Sequence, residues 1–359
     1  MIFAGWRSRP ILALAFGLAQ PVGAATSAPL PALAADENTV TVSGLSSGGY
    51  MAVQFQVAFS KIVRGAGVIA GGPYHCAEAL TTRALQNCMA PNASAPVPTL
   101  AQMNAAVDAA DRAGRIDPPQ FLDDDRVWLL SGGADQTVAR PVMDALASFY
   151  QARLPAAAVR YQKPKGVGHA MPSVVDPEAN DCASSNPPFI NRCADADGPR
   201  PLDAAGELLA HLSPTPLAPT AASVPVAAIF DQRPYVAGKP VDASLADSAY
   251  VYVPASCRVG GCRIHVAFHG CRQNADLVDR RFVDGAGYNR WAESNRLIVL
   301  YPQTVARYGF ALGSWAWRYN PKACWDWWGY TGSDYATQSG KQLAAVRAMI
   351  RQLAAPLAR

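Results

Sequence analysis

Charge is scarce in this chain: Asp, Glu, Lys and Arg together make up 16% of 359 residues, and the formal net charge is only +4. No run of Lys or Arg occurs, which argues against a nucleic-acid partner. Histidine is scarcer still, with five residues. No pair of cysteines has C-x-x-C spacing and none has a histidine at ligand spacing, so no zinc site or other metal is expected. Beyond the N-terminus no apolar stretch is long enough to span a bilayer. No repeat occurs, and no Thr-rich or Gly-rich linker leads to an appended binding module. With metal, cofactor, nucleic acid and membrane span all unsupported, any chemistry must come from side chains gathered by one large hydrophobic core.

What is present begins with export. Arg7 and Arg9 precede an apolar run from Ile11 to Leu18, and Val22-Gly23-Ala24 is a small-residue cleavage site. Residues 1–24 therefore read as a signal peptide, with Ala32-Leu33-Ala34 as a later possible cut, and the protein is expected to be secreted, extracellular or periplasmic. The eight cysteines agree with an oxidising compartment. Cys76 and Cys88, Cys182 and Cys193, and Cys257 and Cys262 each bracket a polar, turn-rich loop, which leaves Cys271 for Cys324. Such closures stabilise a fold by roughly 3–4 kcal/mol each, less any strain.

Strand and helix patterns alternate along residues 36–359, the signature of an α/β parallel sheet. Strands are expected over 37–43, 63–69, 126–130, 159–162 and 297–301, with helices over 49–62, 100–113, 141–153, 287–295 and 338–354. Segments 249–253 and 263–268 alternate like paired strands around the Cys257–Cys262 loop. Residues 213–226, rich in Pro, Ala, Ser and Thr, mark a seam.

The most informative stretch is Thr41-Val42-Ser43-Gly44-Leu45-Ser46-Ser47-Gly48-Gly49-Tyr50. Gly44 and Gly48 flank Ser46 in a G-x-S-x-G nucleophile elbow, where a strained strand-to-helix turn crowds the residues at −2 and +2. Ser47 is the competing nucleophile, but that register would put Leu45 in the crowded −2 place. Ser47 N–H, at the start of a helix, then becomes an oxyanion donor. An α/β-hydrolase needs its carboxylate and histidine on later strands, in that order. Asp135 follows the strand over 126–130, and His169 lies in a Gly-flanked loop after the strand over 159–162. Asp123 to Asp125 precede their strand and face the wrong edge of the sheet. His75, His211 and His265 read as structural, with His211 solvated at a helix end.

A second oxyanion donor normally follows an H-G motif on a strand that comes before the nucleophile. Here His269-Gly270-Cys271 comes far after it. Circular permutation explains the order: the opening strands of the fold have moved behind the seam, both halves build one sheet, and Cys271 N–H supplies the second donor. A disulfide to Cys324 would brace that loop and bring Cys324-Trp325-Asp326-Trp327-Trp328 to the cleft, where at least one indole is expected as an apolar platform.

Taken together, VSGLSSGGYMA from Val42, AGGPYHC from Ala70, GADQTV from Gly133, GHAMP from Gly168, HVAFHGCRQN from His265, GYNRWAESNRLIVLYPQ from Gly287 and CWDW from Cys324 resemble the secreted poly(3-hydroxybutyrate) depolymerases of the single-domain, circularly permuted type. The resemblance implies an α/β-hydrolase with four disulfides, a Ser46–His169–Asp135 triad, oxyanion donors at Ser47 and Cys271, and a substrate-binding Trp327. It implies a crevice for one polyester chain, with an exposed apolar rim that adsorbs to solid polymer. Without an appended binding module, soluble oligomers or amorphous chains are the expected substrates, acted on by a monomer. Two other readings fit the surface aromatics: a carbohydrate esterase of the feruloyl or acetylxylan kind, and a polymer binder without catalysis.

Overall fold

The computed structural model describes residues 27–194, 200–223 and 225–357. The expected signal peptide, 1–24, lies outside them. Eight strands form one sheet: β1 (Val40–Leu45), β2 (Val63–Ile69), β3 (Arg126–Leu130), β4 (Val159–Gln162), β5 (Ala228–Asp231), β6 (Ser248–Tyr252), β7 (Arg263–Phe268) and β8 (Leu297–Tyr301). Their spatial order is β4-β3-β2-β1-β7-β8-β6-β5, parallel throughout except for β6. The first half of the chain supplies β1 to β4 and the second half β5 to β8. The halves join where Thr41, Val42, Ser43 and Gly44 pair with His265, Val266, Ala267 and Phe268. That is the arrangement circular permutation requires. The 213–226 connection crosses between halves along helix Tyr288–Ser294, where Asn295 bonds both N–H and carbonyl of Ala218.

Period-two alternation sorts each strand between two cores. Val40, Val42, Val127, Leu129, Ile298 and Leu300 face one side. That side is covered by α1 (Ser47–Ala58), α2 (Leu100–Arg112), α3 (Arg140–Gln151) and, at the C-terminus, α6 (Lys341–Ala354). Trp128, Leu130, Leu297, Val299 and Tyr301 face the other side, under α4 (Ala204–Leu212) and α5 (Tyr288–Ser294). Local chemistry sets the helix starts. Thr99 and Gln102 form a capping box on α2, and Pro141 sits in the first turn of α3. Every residue of α1 is buried, as expected of a central helix apolar on all sides.

Several expectations need correction. The 249–253 and 263–268 segments are both strands but not partners: β6 pairs with β5 and β8, and β7 lies between β1 and β8. The Cys257–Cys262 loop is thus a crossover, not a hairpin turn. Residues 37–39 form a 3-10 turn capped by Asp36, so β1 begins at Val40. Helix α1 starts at Ser47 and ends before the Phe59 carbonyl accepts Ile62 and Val63 N–H, which turns the chain into β2. His211 is half-buried, its Nε2–H donating to the Ala158 carbonyl at 2.9 Å, rather than solvated. His265 is structural as expected: its ring nitrogens meet the hydroxyls of Thr41 at 2.8 Å and Ser43 at 2.7 Å, and burial pushes its pKa down to about 3.

At the far edge of the sheet from the elbow, Asp125 is 1% exposed. Gln56 Nε2 donates to one carboxyl oxygen at 2.6 Å and the other has no partner. Burial pushes this carboxyl up from 3.8 to about 8. The folded state keeps a proton that the unfolded chain releases above pH 3.8, so this contribution is complete at low pH and is lost as pH climbs toward about 8. Asp125→Asn is expected to flatten the decline in Tm between about pH 5 and about pH 8, read by thermal melts across that range.

Candidate active site

The elbow is built by crowding. Ser46 sits between β1 and α1 with φ 57° and ψ −121°, a backbone region that costs a non-glycine residue about 1–3 kcal/mol. A Cβ on Gly44 would stand 2.3 Å from Gly48 backbone atoms, and one on Gly48 would stand 2.2 Å from the Phe268 carbonyl oxygen. Only glycine fits on either side, which places Ser46 rather than Ser47 at the centre of the elbow. Ser46 N–H donates to the Ile69 carbonyl, and its hydroxyl opens into a cavity of about 340 Å³.

Asp135 and His169 arrive from the loops after β3 and β4. These loops interlock: a Cβ on Gly132 would meet the Val167 carbonyl at 2.1 Å, and Ala134 N–H donates to that same carbonyl. The Asp135 carboxylate accepts Thr137 N–H at 2.7 Å and Val138 N–H at 3.1 Å on one oxygen. On the other it accepts His169 Nδ1–H at 2.8 Å. A carboxylate accepts but cannot donate while ionised, so the imidazole keeps its proton on Nδ1 and leaves Nε2 free as a base. Ser185 Oγ accepts His169 N–H, which fixes the backbone at this histidine. His169 and Ser46 line the same cavity, and the Ser46 hydroxyl has no hydrogen-bond partner among the described residues.

Across from the serine lies the loop that follows β7. Ser47 N–H and Cys271 N–H have no acceptor among the described residues, leaving both available for an oxyanion. Gln273 was not singled out by sequence reasoning, yet it secures this loop. Its Oε1 accepts Gly270 N–H at 2.8 Å, and its Nε2 donates to the carbonyls of Pro188 and Phe189. Its only sequence signal is an amide residue two positions past Cys271; its burial shows in the structure alone. His269 Nδ1–H donates to the Gly270 carbonyl at 2.7 Å, while Nε2 accepts Thr304 N–H at 3.3 Å. Burial pushes the His269 pKa down to about 4, so this neighbour stays uncharged. Cys271–Cys324 ties the loop to the tryptophan segment, and Cys76–Cys88, Cys182–Cys193 and Cys257–Cys262 are also formed.

The three tryptophans divide. Trp325 belongs to the core, edge-on to Phe268, and its backbone N–H donates to Ser47 Oγ. Trp327 lines the cavity, stacked on Tyr50 with centroids 4.2 Å apart, and Trp328 lines it alongside. Asp326 knots the segment by accepting the N–H groups of Gly329, Tyr330 and Thr331.

A mostly parallel sheet with its cavity at the carboxyl ends of β1, β3, β4 and β7, beneath a strained serine elbow, defines the circularly permuted α/β-hydrolase fold. No protein-family model matches the sequence. A polyhydroxybutyrate depolymerase of Talaromyces funiculosus is 32% identical, the match covering 95% of each chain. A poly(3-hydroxybutyrate) depolymerase of Delftia acidovorans is 39% identical over 89% of this chain, which spans 60% of that relative's length. Among solved structures, a PHB depolymerase complexed with an R3HB trimer superposes with a TM-score of 0.78 at 31% identity, covering 91% of this chain and 98% of that one. The crystal structure of the Penicillium funiculosum PHB depolymerase gives 0.77 at 30% identity, with the same coverage. The chain belongs to the poly(3-hydroxybutyrate) depolymerase family.

The elbow's crowding is directly testable. Gly48→Ala is expected to lower stability by about 3 kcal/mol or more. Gly166→Ala, whose Cβ meets nothing within 4 Å, should leave the melting temperature unchanged in the same assay.

Proposed function

We propose that the protein is a secreted serine esterase that hydrolyses poly(3-hydroxybutyrate) or 3-hydroxybutyrate oligomers through an acyl-enzyme. Ser46 Oγ attacks the ester carbonyl while His169 Nε2 takes its proton. The oxyanion is held by Ser47 and Cys271 N–H, and Asp135 stabilises the imidazolium. His169 then protonates the departing hydroxyl, and water activated by the same imidazole hydrolyses the acyl-Ser46 ester. The observation that carries this reading is the His169–Asp135 hydrogen bond beside a cavity that Ser46 also lines. Kinship to a solved depolymerase bound to an R3HB trimer supports the choice of ester. Nothing in the relatives' names favours a carbohydrate ester or a silent binder.

Trp327 is proposed as a wall against which the aliphatic part of a chain lies. The polymer rim is proposed to be the hairpin of Arg307–Gly309 and Arg318–Asn320. Tyr308, Phe310, Leu312, Trp315, Trp317 and Tyr319 are all exposed there, and Tyr319 also lines the cavity. Such a contiguous apolar patch marks an interaction surface. Export is supported by four disulfides and no free cysteine among the described residues. Leu30 and Leu33 pack in the core, so cleavage near residue 24 is favoured over residue 34.

Ser46→Ala is expected to cut turnover by roughly a millionfold, and Asp135→Asn by about ten-thousandfold, measured as 3-hydroxybutyrate released from emulsion. An active Ser46→Ala protein rules the mechanism out. Replacing Trp315 and Trp317 with serine should reduce the fraction of protein bound to polymer granules, and with it the ratio of granule to soluble-trimer turnover. An unchanged bound fraction removes the hairpin from the account.

A further inference from the structure

We infer that Arg272 and Lys322 form a carboxylate subsite at the mouth of the cavity, so that the enzyme favours chains presenting a free carboxylate end. This inference rests on the depolymerase reading. Among the described residues, the cavity is lined by these two cations and by no Asp or Glu. Asp135, the carboxylate paired with His169, is buried with both oxygens occupied. Neither cation has an ion-pair partner among the described residues.

Their placement is built rather than incidental. Arg272 N–H donates to the Lys322 carbonyl at 2.7 Å, and Cys271–Cys324 clamps the same two loops together. The Arg272 guanidinium lies over the ring of Phe189, another wall of the cavity, 5.2 Å from its centroid, which limits where the charge can point. The backbone of Arg272 is at φ 58°, where glycine would be less strained, yet a long cationic side chain occupies it.

A cleft for a polyester has little use for two unpaired cations along its neutral repeats. Internal units offer only ester oxygens. The one formal charge on a 3-hydroxybutyrate chain is the carboxylate at its end, and each hydrolysis creates another. Guanidinium and ammonium groups beside the oxyanion loop would attract that end and hold it by charge-assisted hydrogen bonds.

The test compares kcat/KM for the 3-hydroxybutyrate trimer as free acid and as methyl ester, within each protein. The native enzyme is expected to favour the acid by about fivefold, the effect of exposed charge pairs, with the preference shrinking at high salt. In the Arg272→Gln, Lys322→Gln double variant the ratio should fall to about one, and the Arg272→Glu, Lys322→Glu double variant should reverse it. Because the ratio is internal to each variant, a general loss of activity or stability does not move it. A native ratio near one, or a preference that survives in the double glutamine variant, overturns the subsite while leaving the esterase reading standing. Failure of the native protein to hydrolyse either trimer overturns the esterase reading and the subsite with it.

Discussion

The structure turns on one close approach: the backbone of Gly48 lying against the carbonyls of Phe268 and His269. This contact brings the first turn of α1 down onto the end of β7, and so brings a strand from each half of the chain to the same point. It pushes Ser46 into a strained conformation whose hydroxyl faces outward, and it sets Ser47 N–H beside the loop that carries Cys271. No side chain, not even a methyl group, could be inserted without separating the two halves. The strain at Ser46 is offset by the β1–β7 pairing and by the buried apolar faces on both sides of the sheet.

Around that point, positions are held by hydrogen bonds rather than by charge. Backbone donors hold one oxygen of Asp135, and a neutral His269 fastens the loop after β7 to Thr304. Gln273 fastens it to the segment at Pro188 and Phe189. Among the described residues, the only formally charged groups lining the cavity besides the ionisable His169 are Arg272 and Lys322. In the proposed mechanism, electrostatic preorganisation near the serine comes from fixed N–H dipoles in a largely apolar setting, where such dipoles act most strongly.

Much of this was legible in the sequence wherever steric or topological rules leave few solutions. The serine register follows from the glycine spacing, since Leu45 cannot occupy the place Gly44 fills. The downstream position of His269-Gly270-Cys271 implied the permutation, because a sheet tolerates few ways of putting an oxyanion loop beside an elbow. Partner choice was less legible. Alternation in 249–253 and 263–268 identifies strands but not neighbours, and β8, distant in sequence, lies between them. Exposure was harder still. Trp325 and Trp327 share one short motif, yet one packs on Phe268 in the core and the other lines the cavity. The apolar hairpin around Trp315 has a pattern that would suit a buried strand, and only the absence of a covering layer reveals it as surface.

The most direct measurement is covalent labelling of the native enzyme with an alkyl organophosphonate, followed by peptide mass mapping. One equivalent of adduct on Ser46, accompanied by complete loss of esterase activity, is the outcome this arrangement requires. Adduct on Ser47, or full activity with no adduct at all, would contradict it.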